Sequence, residues 1–354
     1  MNDFPVPASN LDSSSPLRHH IEKININSDK LSVLIGEHNG PVTIDFSTIG
    51  HLLLIGWLGS QKEKVIDTMI QSMLYSYKPE DIRCIIFDSF NCFYSYNGIP
   101  HLLTEVIPDV MKLTSALKWT QCEVDSRLKE FRIKQVKDLK AYNQLAEIEK
   151  KPRIVIVINT LNSMLRNTNV ETEELLSKLI DEGSKVGIHI VLVTDYIPKR
   201  ALKISLLSNI PNRIICQLTS EEDSLTAGTS YAHKLKPDEM YLLRFQEKSQ
   251  KIKRILITDQ EIIKTVTYLK NIVPEVQYSK EVGRHKEEIS SGEKDALFNQ
   301  AVEIVGQHDF ASASLLQRRL SIGYARAARM LDQMESEGIV GPAEGSKPRE
   351  VLKK

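Results

Sequence analysis

The chain has 354 residues, of which 41% are hydrophobic, so it can bury a sizeable core and is longer than a single domain usually is. Basic and acidic residues number 46 each, which excludes a global basic field for nucleic acid. The four cysteines form no CxxC pair and no apolar run reaches the roughly 18–20 residues of a membrane span. We therefore expect a cytoplasmic protein with reduced thiols, no membrane segment and no metal site.

Two stretches without apolar periodicity divide the chain. Residues 1–17 are rich in proline, serine, asparagine and aspartate, which predicts a disordered tail. Residues 278–294 combine charges with serine and glycine, which is typical of a linker. These breaks predict a large domain at 18–277 and a small domain at 295–354.

Short apolar runs alternate with helical stretches in the large domain. The runs are bounded by glycine, proline, asparagine or aspartate, as expected for strands that are covered on both faces. Strands are predicted at 52–56, 84–88, 153–159, 189–195 and 212–218, and helices at 63–77, 110–148, 171–186 and 198–208. The alternation predicts an α/β fold with a parallel sheet, whose ligands bind beyond the carboxyl ends of the strands.

The small domain has a different pattern. Helices are predicted at 295–306, 312–320 and 324–338, and a hairpin is predicted at 339–352. The last two helices are joined by a tight turn that contains glycine. Two helices in this arrangement, followed by a hairpin, are typical of a winged helix-turn-helix, which places its second helix in the major groove of DNA.

Two segments carry a resemblance to a known family. GIPHLLTEV at 98–106 follows the strand CIIFD at 84–88, and IGYARAARMLDQMESEGIVGPAEGSKPREVL spans 322–352. Together they strongly resemble the FtsK/SpoIIIE family of double-stranded-DNA translocases. The resemblance implies a RecA-like P-loop motor subdomain followed by a C-terminal gamma winged-helix domain. It also leads us to expect that the family's membrane-spanning N-terminus and most of its first motor subdomain are missing.

The segment GWLGSQKE at 56–63 stands where the family has its P-loop. A working P-loop wraps phosphates with glycine N–H groups and supplies a lysine for phosphate and a hydroxyl for magnesium. Gln61 replaces the second glycine, and Glu63 replaces the hydroxyl residue. Because Glu63 would repel phosphate, we expect ATP and magnesium binding to be much reduced or lost. The vestigial site retains Gly56, Gly59, Ser60 and Lys62.

The positions that support hydrolysis in the family also differ. Asn159 and Thr160 replace an acidic pair, and neither side chain is a base near neutral pH, a loss that typically costs about 10²–10⁴ in rate. Asp195 replaces a glutamine that would sense the γ-phosphate. The family's DPK turn keeps Asp88 but has Phe90 in place of the lysine. We therefore assign no catalytic residue and expect no fast hydrolysis.

Arg213 is retained from the family, and the resemblance implies a role at the nucleotide or facing a neighbouring subunit. Without ATP to bridge subunits, we expect a monomer or a weak homo-oligomer, and a mixed ring with an active family member is the alternative assembly. Lys62 has an alternative interpretation as a structural cation, paired with Glu63 or Asp88 on a solvated rim.

The helix at 324–338 places Arg326 and Arg329 three residues apart on one face, and Ala327, Ala328, Leu331 and Met334 on the packed face. Guanidinium groups suit guanine and phosphate because their fork makes two parallel hydrogen bonds. An alternative interpretation is a winged helix that is used only for protein contacts. The predicted DNA-binding residues are Gln317, Arg318, Arg319, Tyr324, Arg326, Arg329, Ser346, Lys347 and Arg349.

The resemblance implies a double-stranded-DNA-binding protein of the chromosome-segregation type, and the substitutions predict a degenerate ATPase domain that is defective in hydrolysis. Two alternatives remain open. One is an active ATP-dependent DNA translocase with unorthodox Walker motifs. The other is a DNA-binding regulator whose large domain only oligomerises.

Overall fold

The computed structural model describes residues 4–24, 29–167, 170–197, 209–244, 249–279, 282, 297–320, 324–342 and 348–352. The chain divides into two compact units, 1–283 and 284–354. The first unit carries the predicted large domain, and the second carries the predicted small domain.

A sheet of nine strands lies at the centre of the described part of the first unit. In chain order the strands are β1 (Ser32–Glu37), β2 (Pro41–Asp45), β3 (Leu52–Ile55), β4 (Ile82–Asp88), β5 (Arg153–Asn159), β6 (Ile188–Thr194), β7 (Arg213–Ile215), β8 (Glu239–Leu243) and β9 (Gln250–Lys253). Their order across the sheet is β2-β1-β9-β8-β7-β3-β6-β5-β4. Strands β7, β3, β6, β5 and β4 run parallel, and the other four extend the sheet by antiparallel pairs.

Helices pack on both faces of this sheet. They are α1 (Pro16–Ile21), α2 (Phe46–Ile49), α3 (Lys62–Ser76), α4 (Val110–Lys134), α5 (Leu139–Asn143), α6 (Leu161–Asn167), α7 (Val170–Glu182), α8 (Glu221–Ala227) and α9 (Asp259–Ile272). Alternate residues of β3 join two separate apolar clusters, with Leu52 and Leu54 in one and Leu53 and Ile55 in the other. The first cluster includes residues of α3 and α9, and the second includes residues of α4 and α7. Because both faces are covered, the parallel strands are continuous apolar runs.

The predicted α/β fold with a parallel sheet is confirmed. The five predicted strands correspond to the parallel strands β3–β7. The helix predicted over 110–148 is two helices, because α4 ends at Lys134 and the next residue, Gln135, has a left-handed conformation (φ 57°). The helix predicted at 198–208 lies outside the described residues. The sequence did not indicate β1, β2, β8 and β9, the antiparallel strands of the sheet.

The N-terminal segment is packed against the large domain, so the expectation of a disordered tail is wrong for residues 4–17. Val6, Leu11 and Leu17 are buried in the same cluster as α3. The backbone N–H of Val6 donates to the carbonyl oxygen of Leu74 (3.1 Å). Helix α1 begins after Ser15, whose Oγ accepts a hydrogen bond from the backbone of Arg18. Three buried apolar side chains thus anchor a segment that is otherwise rich in proline and serine.

The second unit contains three described helices and a small sheet. The helices are α10 (Phe298–Gly306), α11 (Ala313–Leu320) and α12 (Tyr324–Ser336). Strand β10 (Phe310–Ala311) pairs antiparallel with β11 (Arg349–Glu350), and Val340 bridges Val351. Ala327, Leu331 and Met334 are buried, as the helical spacing predicts, whereas Ala328 is half-buried. The elements follow the order of the predicted winged helix, with β10 added before the helix pair.

In the part of the chain that the structure describes, no helix is both long and apolar enough to cross a bilayer. Among the same residues, no group of three or more histidine, cysteine, aspartate or glutamate side chains is arranged to hold a metal ion.

Candidate functional site

The segment 56–63 connects the carboxyl end of β3 to the start of α3, at the edge where the parallel strands end. Gly56 is closely packed, since an added Cβ would lie 2.4 Å from the Oγ of Ser60 and 2.8 Å from the Cβ of Cys216. A Cβ on Gly59 would lie 2.1 Å from the indole of Trp57. Packing therefore requires glycine at position 56, whereas at position 59 the exposed indole of Trp57 would have to rotate away.

Gln61 stands at the start of α3 with φ 53° and ψ 36°, in the left-handed region that favours glycine. Its Oε1 accepts a hydrogen bond from Nη2 of Arg254 (2.8 Å). Nη1 of Arg254 donates to the carbonyl oxygens of Ser60 and Gln61, both at 3.3 Å. Arg254 is buried, and burial lowers the pKa of its guanidinium. The Gln61 side chain is therefore held by the same group that holds the loop's carbonyls.

Lys62 is buried and makes two ion pairs within the chain. Its Nζ lies 2.8 Å from Oδ1 of Asp195 and 3.1 Å from Oε1 of Glu63. Burial disfavours the ammonium, but contact with Asp195 and Glu63 outweighs it, so the pKa of Lys62 lies above its usual value. The alternative of an ion pair on a solvated rim is corrected in two respects. The ammonium is fully buried, and its second partner is Asp195 rather than Asp88.

Asp195 reaches Lys62 from the turn after β6, the strand next to β3. The Oγ1 of Thr194 donates to the carbonyl oxygen of Tyr196 (2.7 Å), and Nδ2 of Asn162 donates to the same oxygen (3.1 Å). These bonds fix the turn. The turn after β6 thus brings the carboxylate of Asp195 to the ammonium of Lys62, although the two residues are far apart in sequence.

The ends of β4 and β5 form a second polar group. Nδ2 of Asn159 donates to Oδ1 of the buried Asp88 (2.9 Å). Asp88 also accepts hydrogen bonds from the backbone N–H groups of Phe90 and Phe93. The carboxylate of Asp88 is therefore occupied in shaping the turn that follows β4.

Thr160 follows Asn159 at φ 65°, a conformation that β-branched residues rarely adopt. Its Oγ1 donates to the carbonyl oxygen of Asn159 (2.6 Å) and lies 3.3 Å from the Oγ of Ser89. Its own carbonyl oxygen accepts from the backbone of Ser163 and Met164 at the start of α6. Thr160 thus joins β5 to α6 and carries no carboxylate.

Arg213 lies apart from these groups. It begins β7 and is opposite Leu53, whereas the loop leaves the other end of β3. Its Nη1 donates to the carbonyl oxygen of Ala227 (2.9 Å), and burial lowers the pKa of its guanidinium. Arg213 therefore does not join the loop of its own chain, and a subunit-facing role stays a prediction.

The predicted DNA-binding residues are distributed over the helix pair and the C-terminal hairpin of the second unit. Arg318 and Arg319 are exposed at the end of α11, and Gln317 is half-buried there. Tyr324, Arg326 and Arg329 belong to α12, and their side chains lie outside the described part of the chain, as do Ser346 and Lys347 altogether. Their role in binding DNA stays a prediction.

Arg349 is engaged inside its unit. Its Nη1 donates to the carbonyl oxygen of Leu331 (3.0 Å) and to Oε2 of Glu335 (2.8 Å). Its Nη2 pairs with Oδ1 of Asp332. The predicted DNA contact of Arg349 would therefore compete with two carboxylates that already hold it.

Arg254 is the residue of the loop site that sequence reasoning missed. It follows β9 and contacts Gln61 across 193 positions of sequence. A glutamine at a glycine position was the available signal that something must stabilise the loop. No local pattern identified Arg254 as the residue that does so.

Sequence comparisons place the two units in one family. Residues 19–236 match the FtsK/SpoIIIE family, and residues 292–354 match the Ftsk gamma domain. The chain belongs to the FtsK/SpoIIIE family. The resemblance found in the sequence is thus confirmed.

Two relatives show the extent of the similarity. The chain is 35% identical over 323 residues to the DNA translocase FtsK of Clostridium tetani, covering 88% of this chain and 44% of that protein. It is 33% identical over 320 residues to the DNA translocase SftA of Bacillus subtilis, covering 88% and 34%. The chain therefore spans less than half the length of these relatives.

Solved structures share the fold at low sequence identity. The conjugation coupling protein TcpA of pCW3, in its monomer form with ATPγS, superposes with a TM-score of 0.62 at 19% identity, over 71% of this chain and 72% of that one. ATPases 2 and 3 of EssC from Geobacillus thermodenitrificans give 0.61 at 17% identity, over 73% and 51%. These likenesses show that the large domain shares its fold with these proteins.

Proposed function

We propose that the chain is a double-stranded-DNA-binding member of the FtsK/SpoIIIE family whose large domain neither binds ATP tightly nor hydrolyses it. The observation that carries this proposal is the ion-pair group of Lys62, Glu63 and Asp195. The lysine that would meet the phosphates already has two carboxylate partners within 3.1 Å.

Nucleotide binding would have to break these pairs. Phosphate oxygens that approach Lys62 also approach the carboxylates of Glu63 and Asp195, which carry the same sign of charge. Repulsion between unit charges at about 4 Å costs about 1 kcal/mol in water and roughly 4 kcal/mol near a protein surface. The two carboxylates take the place of phosphate around the cation and oppose its entry.

Hydrolysis also lacks a base among the residues at the ends of β4 and β5. The amide of Asn159 is bonded to Asp88, and the hydroxyl of Thr160 is bonded to the carbonyl of Asn159. Neither group can take a proton from water near neutral pH. Asp88, the carboxylate in this group, accepts three hydrogen bonds and is buried.

DNA binding is supported by the second unit. It matches the Ftsk gamma domain, and the two relatives described above are both named DNA translocases. Arg318 and Arg319 are exposed at the end of α11, beside the helix that carries Arg326 and Arg329. We propose that these arginines bind duplex DNA, with phosphate contacts from α11 and base contacts from α12. The rival role for this unit is protein contact alone.

Equilibrium binding of a fluorescent ATP analogue, with and without magnesium, tests the nucleotide half of the proposal. The wild-type chain is expected to bind the analogue weakly or not at all, because the carboxylates of Glu63 and Asp195 oppose phosphate. The double variant Glu63→Ser/Asp195→Gln is expected to bind at least about tenfold more tightly, since 1.4 kcal/mol of relieved repulsion corresponds to a factor of ten.

Glu80→Ser is the matched control, because Glu80 is an exposed carboxylate on the turn before β4. We expect it to leave binding of the analogue unchanged. Micromolar, magnesium-dependent binding by the wild-type chain would refute the proposal and favour the active translocase with unorthodox Walker motifs.

The assembly state follows from the same proposal. Because no nucleotide bridges subunits, we propose a monomer or weak homo-oligomer at micromolar concentration. Sedimentation that shows a stable hexamer without nucleotide would contradict this and favour the regulator whose large domain oligomerises. Co-purification with an active family member tests the mixed ring.

A further inference from the structure

We propose that Arg349 does not contact DNA but is a positioning residue, which neutralises the acidic end of α12 and attaches strand β11 to that helix. The inference rests on the proposed DNA binding of this unit. It replaces the direct phosphate contact that the sequence predicts for Arg349.

The hydrogen bonds and ion pairs of Arg349 support this role. One guanidinium reaches three acceptors on α12, namely the carbonyl oxygen of Leu331 and the carboxylates of Asp332 and Glu335. The side chain of Arg349 is only 12% exposed. Its forked donors are thus used within the unit, and little of the group is accessible to a ligand.

The positions of Asp332 and Glu335 explain why their neutralisation by Arg349 is important for DNA binding. Asp332 and Glu335 both lie on α12, the helix that is proposed to read bases. They follow Arg329 by about one and two helical turns. Their side chains are 63% and 38% exposed. Without Arg349, two unpaired carboxylates would face solvent on this helix and repel DNA phosphates.

Arg318 provides the contrast. It is exposed at the end of α11, and its Nε donates to the backbone of Ser314 one turn earlier on the same helix (3.2 Å). No described carboxylate is paired with it. Its charge is therefore available to a phosphate, and each phosphate contact contributes about one to the slope of binding against salt.

The test uses the full chain and duplex DNA, with affinities measured at several salt concentrations for wild type, Arg349→Ala, Arg318→Ala, and both arginine variants combined with Asp332→Asn/Glu335→Gln. Arg349→Ala is expected to weaken binding about tenfold at low salt, by a factor that shrinks as added salt screens the two carboxylates. Neutralising the two acids in the Arg349→Ala background is expected to restore affinity to within about threefold of wild type. Arg318→Ala is expected to lower the slope by about one, and neutralisation should not rescue it.

Three results decide the matter. A loss of affinity in Arg349→Ala that persists after the two acids are neutralised overturns the proposal and restores the direct phosphate contact. If Arg349→Ala fails to fold, the neutralised triple variant carries the test, and a deficit of tenfold or more overturns the proposal. Absence of DNA binding by the wild-type chain at low salt would instead refute the proposed function, and it is seen before any variant is compared.

Discussion

Gln61 adopts a left-handed conformation that costs a residue with a side chain about 1–2 kcal/mol relative to the right-handed one. Arg254 offsets this cost, because its guanidinium bonds both the Gln61 side chain and two loop carbonyls. The loop thus keeps a glycine-like backbone without the glycine. The two residues act as a pair.

The first prediction concerns this pair. Arg254→Ala should destabilise the large domain by about 1–3 kcal/mol, because buried acceptors lose their donor. In the Arg254→Ala background, Gln61→Gly should be neutral or stabilising, whereas in the wild type it should cost stability because Arg254 loses a partner. Urea unfolding followed by tryptophan fluorescence measures this, since both tryptophans, Trp57 and Trp119, lie in the first unit.

Lys236→Ala, which removes an exposed cation near β8, is the control for Arg254→Ala and should change the unfolding free energy by less than about 0.5 kcal/mol. Additive effects of the changes at positions 61 and 254 would contradict the coupling between them.

Among the elements, the N-terminal segment is part of the core of the large domain. Leu17 lies on α1, and its side chain is fully buried with α3. The segment is also bonded to α9, since Nζ of Lys264 lies 3.0 Å from Oδ1 of Asp12 and the Oγ of Ser15 donates to Glu261. Burial and polar contacts together attach it to two helices.

The second prediction follows from that burial. Leu17→Ala should destabilise the large domain by about 2–5 kcal/mol, because it removes buried methyl groups and leaves a cavity. Ser13→Ala, an exposed change in the same segment, should have little effect. Equal unfolding midpoints for the two variants in urea would show that the segment does not support the core.

The third prediction concerns helix α12. If Arg326 or Arg329 reads a base, its replacement by alanine should cost about 1–3 kcal/mol on a preferred guanine-rich duplex and much less on a random one. Arg318→Ala should weaken both duplexes equally, because a phosphate contact is independent of sequence. Competition titrations against the two duplexes measure the difference. The base-reading role fails if the α12 variants lose affinity equally on both duplexes.

At the scale of the whole molecule, three buried histidines make the stability of the large domain depend on pH. Burial lowers the pKa of His51 and His101 to about 4 and that of His189 to about 3, from an ordinary value of 6.5. The unfolded chain takes up protons near pH 6.5, whereas the folded chain does so only near pH 4 or below. The contribution of these neutral, buried histidines to stability is therefore complete above pH 6.5, and it is lost as the pH falls toward 4.

Asp67 acts in the opposite direction. Burial raises the pKa of its carboxyl to about 6 from 3.8, so the folded chain retains this proton longer than the unfolded chain does. Its contribution is present at low pH and is lost as the pH rises through 6. One such carboxyl offsets part of the effect of the three histidines, and the net stability still falls between pH 6 and 4.

The fourth prediction concerns how steeply the unfolding free energy changes with pH. Near pH 5, each histidine should contribute about 1.4 kcal/mol per pH unit to the unfolding free energy. His101→Gln should therefore flatten the slope by about that amount. Urea unfolding between pH 4.5 and 7 measures it, and an exposed histidine change, His38→Gln, is the control. An unchanged slope in His101→Gln would contradict the assignment.

The sequence predicted the parts of the fold that have strong local signals. The parallel strands were predicted because they are covered on both faces and are therefore continuous apolar runs. Strands β2 and β8 alternate between buried and half-buried residues, and only one residue of β9 is buried, so their signal was weak. The N-terminal segment was missed because its composition conceals three buried side chains.

The site was predicted in the same uneven way. Substitutions at Gln61, Glu63, Asn159 and Asp195 were visible in the sequence. The pairing of Glu63 with Lys62 was predicted as an alternative, but the contacts of the other three residues were not. Asp195 meets Lys62 across 133 positions, and Arg254 meets Gln61 across 193, so each contact depends on the packing of neighbouring strands. Sequence patterns of a few residues cannot report such pairs.

The measurement that tests the account most directly is ATP turnover by the full chain in a sample where its binding to duplex DNA is followed at the same time. We predict that fluorescence anisotropy shows DNA bound at low salt while phosphate release stays at background, with or without DNA, because Lys62 is paired with Glu63 and Asp195 and no base stands at 159–160. DNA-stimulated turnover of about 1 per second or more, within the ordinary range of enzymes, would contradict the account.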